Sequence, residues 1–133
     1  MLNADLTLVF DLDGTLVDTA PDLAHAVNHA LTSAGHAAVA PELIVPEVSF
    51  GSRRMIERGL EINGHPSPTE HAGTLLDGFF AYYEANIAVS SRPYPGLIDL
   101  LDRAESNGVK LAVCTNKLEH LSRKLLEIGR AHV

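Results

Sequence analysis

Cysteine is almost missing from this chain. Cys114 stands alone, so no disulfide can form within it. Long apolar runs are missing too, and no segment reads as a membrane span. The opening Met1-Leu2-Asn3-Ala4-Asp5 lacks the basic residues that precede a signal-peptide core, so a cytoplasmic location is the expectation. Positive charge is scarce: 10 Lys and Arg stand against 17 Asp and Glu, a net charge of −7. Such a chain has no long-range attraction to DNA, RNA or anionic lipid, and neither nucleic acid nor membrane is an expected partner. It also repels anionic substrates, so any phosphate chemistry needs a local cation such as a metal ion. Zinc signatures are lacking as well: of seven histidines, none lies in HExxH or in a Cys/His cluster of zinc spacing. There is no internal repeat and no low-complexity stretch.

What remains is a globular balance. The 133 residues are 46% hydrophobic and 20% charged, enough for one ordinary core. Leu6–Phe10 is a short apolar, β-rich run that predicts a buried strand ending at Asp11, and Asp13-Gly14-Thr15 supplies turn chemistry. From Pro21 the period becomes helical, with Leu23, Val27, Ala30 and Leu31 on one face and Gly35 as the stop. A short helix is predicted at Pro41-Glu42 and another over about Ser52–Ile62, with Met55, Ile56 and Leu60 inward. A long helix is predicted from Ser67-Pro68 to about Val89, carrying Leu75, Leu76, Phe79, Phe80 and Tyr83. Leu97, Leu100, Leu101 and Ala104 mark a further helix, Val109–Cys114 a second strand, and Leu118 to about Glu127 a last helix. Two strands with a helix between them suggest a parallel β-α-β crossover. The stretch from about Asp18 to Arg92 shows no strand signal. The predicted fold is therefore α/β, a parallel-sheet core with an all-helical insert: core over 1–17 and 93–127, insert over 18–92.

Asp11-Leu12-Asp13-Gly14 is the informative segment. Residues i and i+2 of an extended chain face the same side, so Asp11 and Asp13 can aim two carboxylates just beyond the strand, where open α/β sheets bind ligands. A hard cation such as Mg2+ relieves their repulsion and bridges phosphate oxygens. Asp11 can then attack phosphorus, and Asp13 can protonate the leaving oxygen. The same four residues are equally consistent with a plain strand end and tight turn.

The wider string Val9-Phe10-Asp11-Leu12-Asp13-Gly14-Thr15-Leu16-Val17-Asp18 resembles the first motif of the haloacid dehalogenase superfamily almost position for position. The resemblance implies a Rossmann-like core, Asp11 as nucleophile and Asp13 as general acid/base. It also implies Mg2+ held by the Asp11 carboxylate and the Asp13 backbone carbonyl. Leu111-Ala112-Val113-Cys114-Thr115-Asn116-Lys117 resembles the second motif, a strand ending in a hydroxyl residue. Thr115 would donate to a phosphoryl oxygen and Asn116 would add its amide, or the pair is ordinary helix capping. Lys117 either holds phosphate or sits in solvent. Cys114 reads as a small buried apolar side chain.

The helical insert matches the small cap of one branch of that superfamily. Asp18–Leu23, Thr115–Lys117 and Phe50–Leu60 are similar to the phosphoglycolate phosphatase branch, where a glycine-containing loop before the cap helix helps choose substrate. Gly51, Ser52 and Arg53 fall there, with Ser49 where the usual pattern has glycine. Arg53 or Arg54 could clamp a substrate carboxylate, or simply begin a solvated helix. His25, His29, His36, His65 and His71 read as surface or cap-packing residues, and Phe79, Phe80, Tyr82 and Tyr83 as cap core. The resemblance implies a phosphomonoesterase acting on a small phosphorylated substrate, with 2-phosphoglycolate expected. Another capped phosphatase, a pyrophosphatase, a phosphoglucomutase-like enzyme and a non-catalytic fragment that binds anions or a partner stay open. Oligomeric state is not legible.

The family's later lysine and acidic metal motif should follow, and neither is present. Ile128–Val133 departs from the family-like helix. With Glu127 it back-translates as GAG ATC GGA AGA GCA CAC GTC, which resembles a sequencing-library adapter. The expectation is a non-native tail over 128–133, a lost C-terminal half, and little or no activity in the chain by itself.

Overall fold

The computed structural model describes residues 5–131. Along the chain these are β1 (Thr7–Phe10), β2 (Val17–Asp18), α1 (Ala20–Ser33), α2 (Pro41–Ile44), a 3-10 turn (Val45–Phe50), α3 (Ser52–Ile62), α4 (Pro68–Ala85), β3 (Arg92–Pro93), α5 (Leu97–Ser106), β4 (Lys110–Val113) and α6 (Glu119–Ala131). The chain forms two compact units, one of residues up to Asp18 and from Arg92 onward, the other Thr19–Ser91.

In the first unit β1 and β4 pair in parallel, with Thr7 opposite Lys110 and Phe10 opposite Val113, and α5 lies between them in sequence. This is the α/β arrangement that the two apolar runs predict. β1 is not buried, however: it alternates between exposed and half-buried residues, and Val9 is 62% exposed. Its apolar sequence suits a central strand, yet among the described residues only β4 pairs with it. A cavity of about 680 Å³ lined by Phe10, Leu16, Leu97, Leu101, Leu111 and Leu125 reflects the same thin layer. Cys114 is exposed rather than buried, for it lies just past the last paired residue of β4.

The sequence pattern misses the antiparallel ribbon of β2 and β3, in which Val17 faces Pro93 and Asp18 faces Arg92. Two residues per strand are too few for any period, and a proline in one of them argues against a strand. α6 runs on to Ala131, past the expected end near Glu127, while His132 and Val133 of the proposed tail lie outside the described residues.

The second unit is helical. α1, α3 and α4 pack on one another pairwise. The predicted faces of α1 and α3 are buried, Leu23, Val27, Ala30 and Leu31 from the first and Met55, Ile56 and Leu60 from the second; from α4 Leu75, Phe79 and Tyr83 are buried, while Leu76 and Phe80 are half-buried at its edge. Each large apolar side chain so buried contributes about 1.5–3 kcal/mol before entropy is counted. Phe79 and Tyr83 stack at 5.7 Å within this core, while Phe80 and Tyr82 are half-buried at its edge. α4 stops at Ala85, short of Val89, because Asn86 turns out of the helix and its amide Nδ2 caps the Tyr82 carbonyl at 2.9 Å.

α1 and α3 approach closely at Gly59, where an added Cβ would meet the buried Leu31 Cδ1 at 2.7 Å. Gly59→Ala is expected to lower the stability of this unit by about 1–3 kcal/mol, despite alanine's better helix propensity, because the end of the fully buried Leu31 must shift to admit the methyl group. A urea titration read by circular dichroism checks this; a stabilised variant would show that the helices simply separate a little.

Candidate active site

The register of β1 and β4 brings two sequence-distant segments to one edge. Phe10 is opposite Val113, and the Cys114 amide donates to the Phe10 carbonyl at 2.8 Å. The chain therefore leaves both strands at the same level, with Asp11–Asp13 after β1 and Thr115–Lys117 after β4.

After β1 the chain turns sharply. The amides of Thr15, Leu16 and Val17 all donate to the Leu12 carbonyl, and Gly14 occupies a positive φ of 78°. Leu12 is fully buried, while Asp11 on one side of it is exposed and Asp13 on the other is partly so. The apolar residue thus anchors the turn and leaves an acid on each side of it. The Asp11 carboxylate accepts from the Leu12 amide through Oδ1 at 2.8 Å.

Asp13 has a partner that the spacing of acids could not reveal. Lys117 Nζ donates to Asp13 Oδ1 at 2.7 Å, with the lysine side chain only 6% exposed. Burial pulls the Lys117 ammonium below its ordinary pKa, and the Asp13 charge and hydrogen bond oppose that pull. Of the two readings of Lys117, solvent exposure is the one the geometry excludes. Thr115 Oγ1 accepts from the Lys117 amide at 3.1 Å, which closes a small turn before α6 begins at Glu119. Its hydroxyl thus organises the lysine turn instead of capping the helix, and Asn116 between them is exposed.

Gly51, Ser52 and Arg53 belong to the helical unit. Gly51 takes φ 93° and ψ 171° at the start of α3, beside Phe50, which is 71% exposed. Arg53 donates to the Thr69 carbonyl at 3.0 Å and lies 3.6 Å from Glu57. Arg54 is held by Glu61 at 2.7 Å and Glu47 at 3.3 Å, and the Glu61 hydrogen bond above all raises its pKa. Its charge is matched by carboxylates of its own unit.

Another acidic residue has no role in the sequence analysis. Asp22, in the first turn of α1, is 2% exposed and accepts four hydrogen bonds from Ser90 and Ser91. That burial between the first and last turns of the helical unit assigns it to structure.

No helix among the described residues is long and apolar enough to cross a membrane. The fold and this edge define an α/β protein of the kind that handles ligands where parallel strands end. The chain belongs to the haloacid dehalogenase-like hydrolases, whose family model matches residues 8–131. It is 44% identical over 119 residues to a phosphoglycolate phosphatase of Agrobacterium fabrum, covering 90% of this chain and 51% of that one. It is 43% identical over 121 residues to a phosphoglycolate phosphatase of Caulobacter vibrioides, covering 91% and 51%. A crystal structure of a predicted phosphoglycolate phosphatase from Haemophilus somnus 129PT superposes with a TM-score of 0.81 at 28% identity, over 92% of this chain and 56% of that one. The chain spans about half the length of the curated relatives it matches.

Proposed function

We propose that, in a protein of its relatives' full length, this sequence supplies the nucleophile and phosphate-binding strands of a phosphomonoesterase acting on 2-phosphoglycolate. The observation that carries the reading is the turn after β1: two acids flank a buried leucine, and a buried ammonium sits 2.7 Å from the second of them. The relatives' names support the substrate.

Asp11 attacks phosphorus, and the bond to the ester oxygen breaks as an aspartyl-phosphate forms. Asp13 gives a proton to the departing alkoxide, then accepts one from the water that releases phosphate and regenerates Asp11. The Thr115 hydroxyl, the Asn116 amide and the Lys117 ammonium hold phosphoryl oxygens. Hard oxygen donors at this turn suit Mg2+, and the Asp11 carboxylate and Asp13 backbone carbonyl would hold it. When bound, it would offset charge on the phosphoryl group. Gly51, Ser52 and Arg53 are proposed to take part in substrate choice from the helical unit.

Phosphate release by the full-length protein across 2-phosphoglycolate, pyrophosphate and sugar phosphates tests this. The highest kcat/KM is expected on 2-phosphoglycolate. Preference for another ester would reassign the substrate, and no release from any would overturn the activity. Lys117→Met is expected to lower kcat/KM by about ten- to a hundredfold, the worth of one charge-assisted hydrogen bond to the phosphoryl group. Unchanged kinetics in that variant would confine Lys117 to pairing with Asp13.

A further inference from the structure

Three histidines from three different segments of the helical unit meet side by side. His36 Nε2 lies 3.3 Å from His71 Nε2. The His65 ring stacks on His71 with centroids 4.4 Å apart and planes within 6°, and it meets His36 edge-on at 5.7 Å. All three are partly exposed, so solutes can reach them.

Their meeting is built into the backbone. α1 and α3 end in the same way: Gly35 and Gly64 take positive φ of 86° and 73°, and the next residue's amide reaches back to the helix, His36 to Leu31 and His65 to Leu60. Glycine is the residue that permits this stop without strain. His36 and His65 are therefore each fixed one residue beyond a glycine stop. Asn63 then ties the two ends together. Its Oδ1 accepts from the Ala37 amide at 2.9 Å, while its Nδ2 donates to the Ala37 carbonyl at 3.0 Å and to the Gly59 carbonyl at 2.9 Å. Asn28 holds the same loop at Val39 through two bonds of 2.8 Å. His71 comes from the first turn of α4.

The geometry points to a binding site for a nitrogen-preferring divalent transition ion, Zn2+ or Cu2+, chelated by His36 and His71. Two nitrogens each about 2.0–2.1 Å from a tetrahedral ion stand about 3.3 Å apart, which is the spacing found. Thr74 Oγ1 lies 3.4 Å from His71 Nδ1, placed to accept its proton and leave the Nε2 lone pair inward. The ion takes the place of the proton shared between the two Nε2 atoms, and that proton moves to His36 Nδ1. His65 accepts from the Ser67 amide through Nδ1 at 3.0 Å, so it packs against His71 instead of ligating. Among the described residues no group of three or more His, Cys, Asp or Glu is placed to hold a metal ion, so the protein would supply two ligands and water the rest. Imidazole ligands disfavour Mg2+, which separates this site in chemistry from the acids at β1.

The test is Zn2+ titration of the purified chain by calorimetry, with Asp11→Asn as the background that removes the acidic strand end. One equivalent of Zn2+ is expected to bind and to raise the thermal midpoint, whereas Mg2+ does neither. His36→Asn and His71→Asn are each expected to weaken binding about tenfold or more, Asn63→Ala less, and His25→Asn not at all. NMR of the imidazole nitrogens in the unsubstituted chain reads the same site without a variant: the His36 and His71 Nε2 signals should move with Zn2+. No shift there, or full binding by the His36→Asn/His71→Asn double variant, would overturn the site.

Discussion

Asp11→Asn in the full-length protein is expected to cut phosphate release by roughly four orders of magnitude or more, the scale at which a lost nucleophile is felt. The amide has nearly the shape of the carboxylate but no anionic oxygen to attack phosphorus. The fold should not notice. Asp11 is exposed, and its one close bond, from the Leu12 amide to Oδ1, can be kept by the asparagine oxygen. An unchanged melting curve beside abolished turnover therefore separates chemistry from folding. Asp13→Asn gives a finer reading. If Asp13 protonates the leaving oxygen, its loss should matter much less for an aryl phosphate, whose phenolate departs unaided, than for 2-phosphoglycolate. Equal turnover by Asp11→Asn and the unsubstituted protein would sink the mechanism.

What the sequence shows here depends on how local the physics is. The acid pair is suggested by a spacing of two, which needs no other information; the strand ends at Phe10, and Leu12 between the acids is buried in the turn that follows. The faces of α1 and α3 are legible for the same reason, whereas Leu76 and Phe80 of α4 are only half-buried and Leu100 of α5 is exposed. Lys117 is not legible. Its partner Asp13 is 104 residues away, and only the register of β1 on β4 joins them. Thr115 was expected to donate to phosphate or cap a helix, and the turn that carries Lys117 shows a local use of its oxygen that a three-residue string cannot reveal. β1 departs from its sequence pattern in the opposite sense. Its composition describes a strand meant for cover, whereas exposure depends on what lies beside it. The histidines read one at a time as surface or packing residues, and their convergence, which comes from two glycine stops and one asparagine clamp, is not visible there.

Asp22→Ala is expected to destabilise the helical unit by about 3 kcal/mol or more, the largest stability effect of any single substitution considered. The carboxylate is 2% exposed and takes the Ser90 amide at 2.9 and 3.1 Å, the Ser91 amide at 2.7 Å and the Ser91 hydroxyl at 2.6 Å. It also lies in the first turn of α1, where a negative charge meets the positive end of the helix dipole. Truncation takes the acceptor from two amides and a hydroxyl; Ser91 is buried and Ser90 exposed, so the cost falls mainly on the two Ser91 groups, at about 1–3 kcal/mol for each left unmatched away from water. Those groups belong to the last residues of the unit and Asp22 to its first turn, so the lost bonds are the ones that join its ends. Ser91→Ala removes a single donor and should cost only about 1 kcal/mol. Asp22→Asn should fall between the two, for one oxygen still accepts while its NH2 faces donors. Urea midpoints of the three variants, read by circular dichroism, give the order directly. An Asp22→Ala protein within about 0.5 kcal/mol of the parent would mean that water reaches Ser91 and that the buried carboxylate does not hold the ends of the insert together.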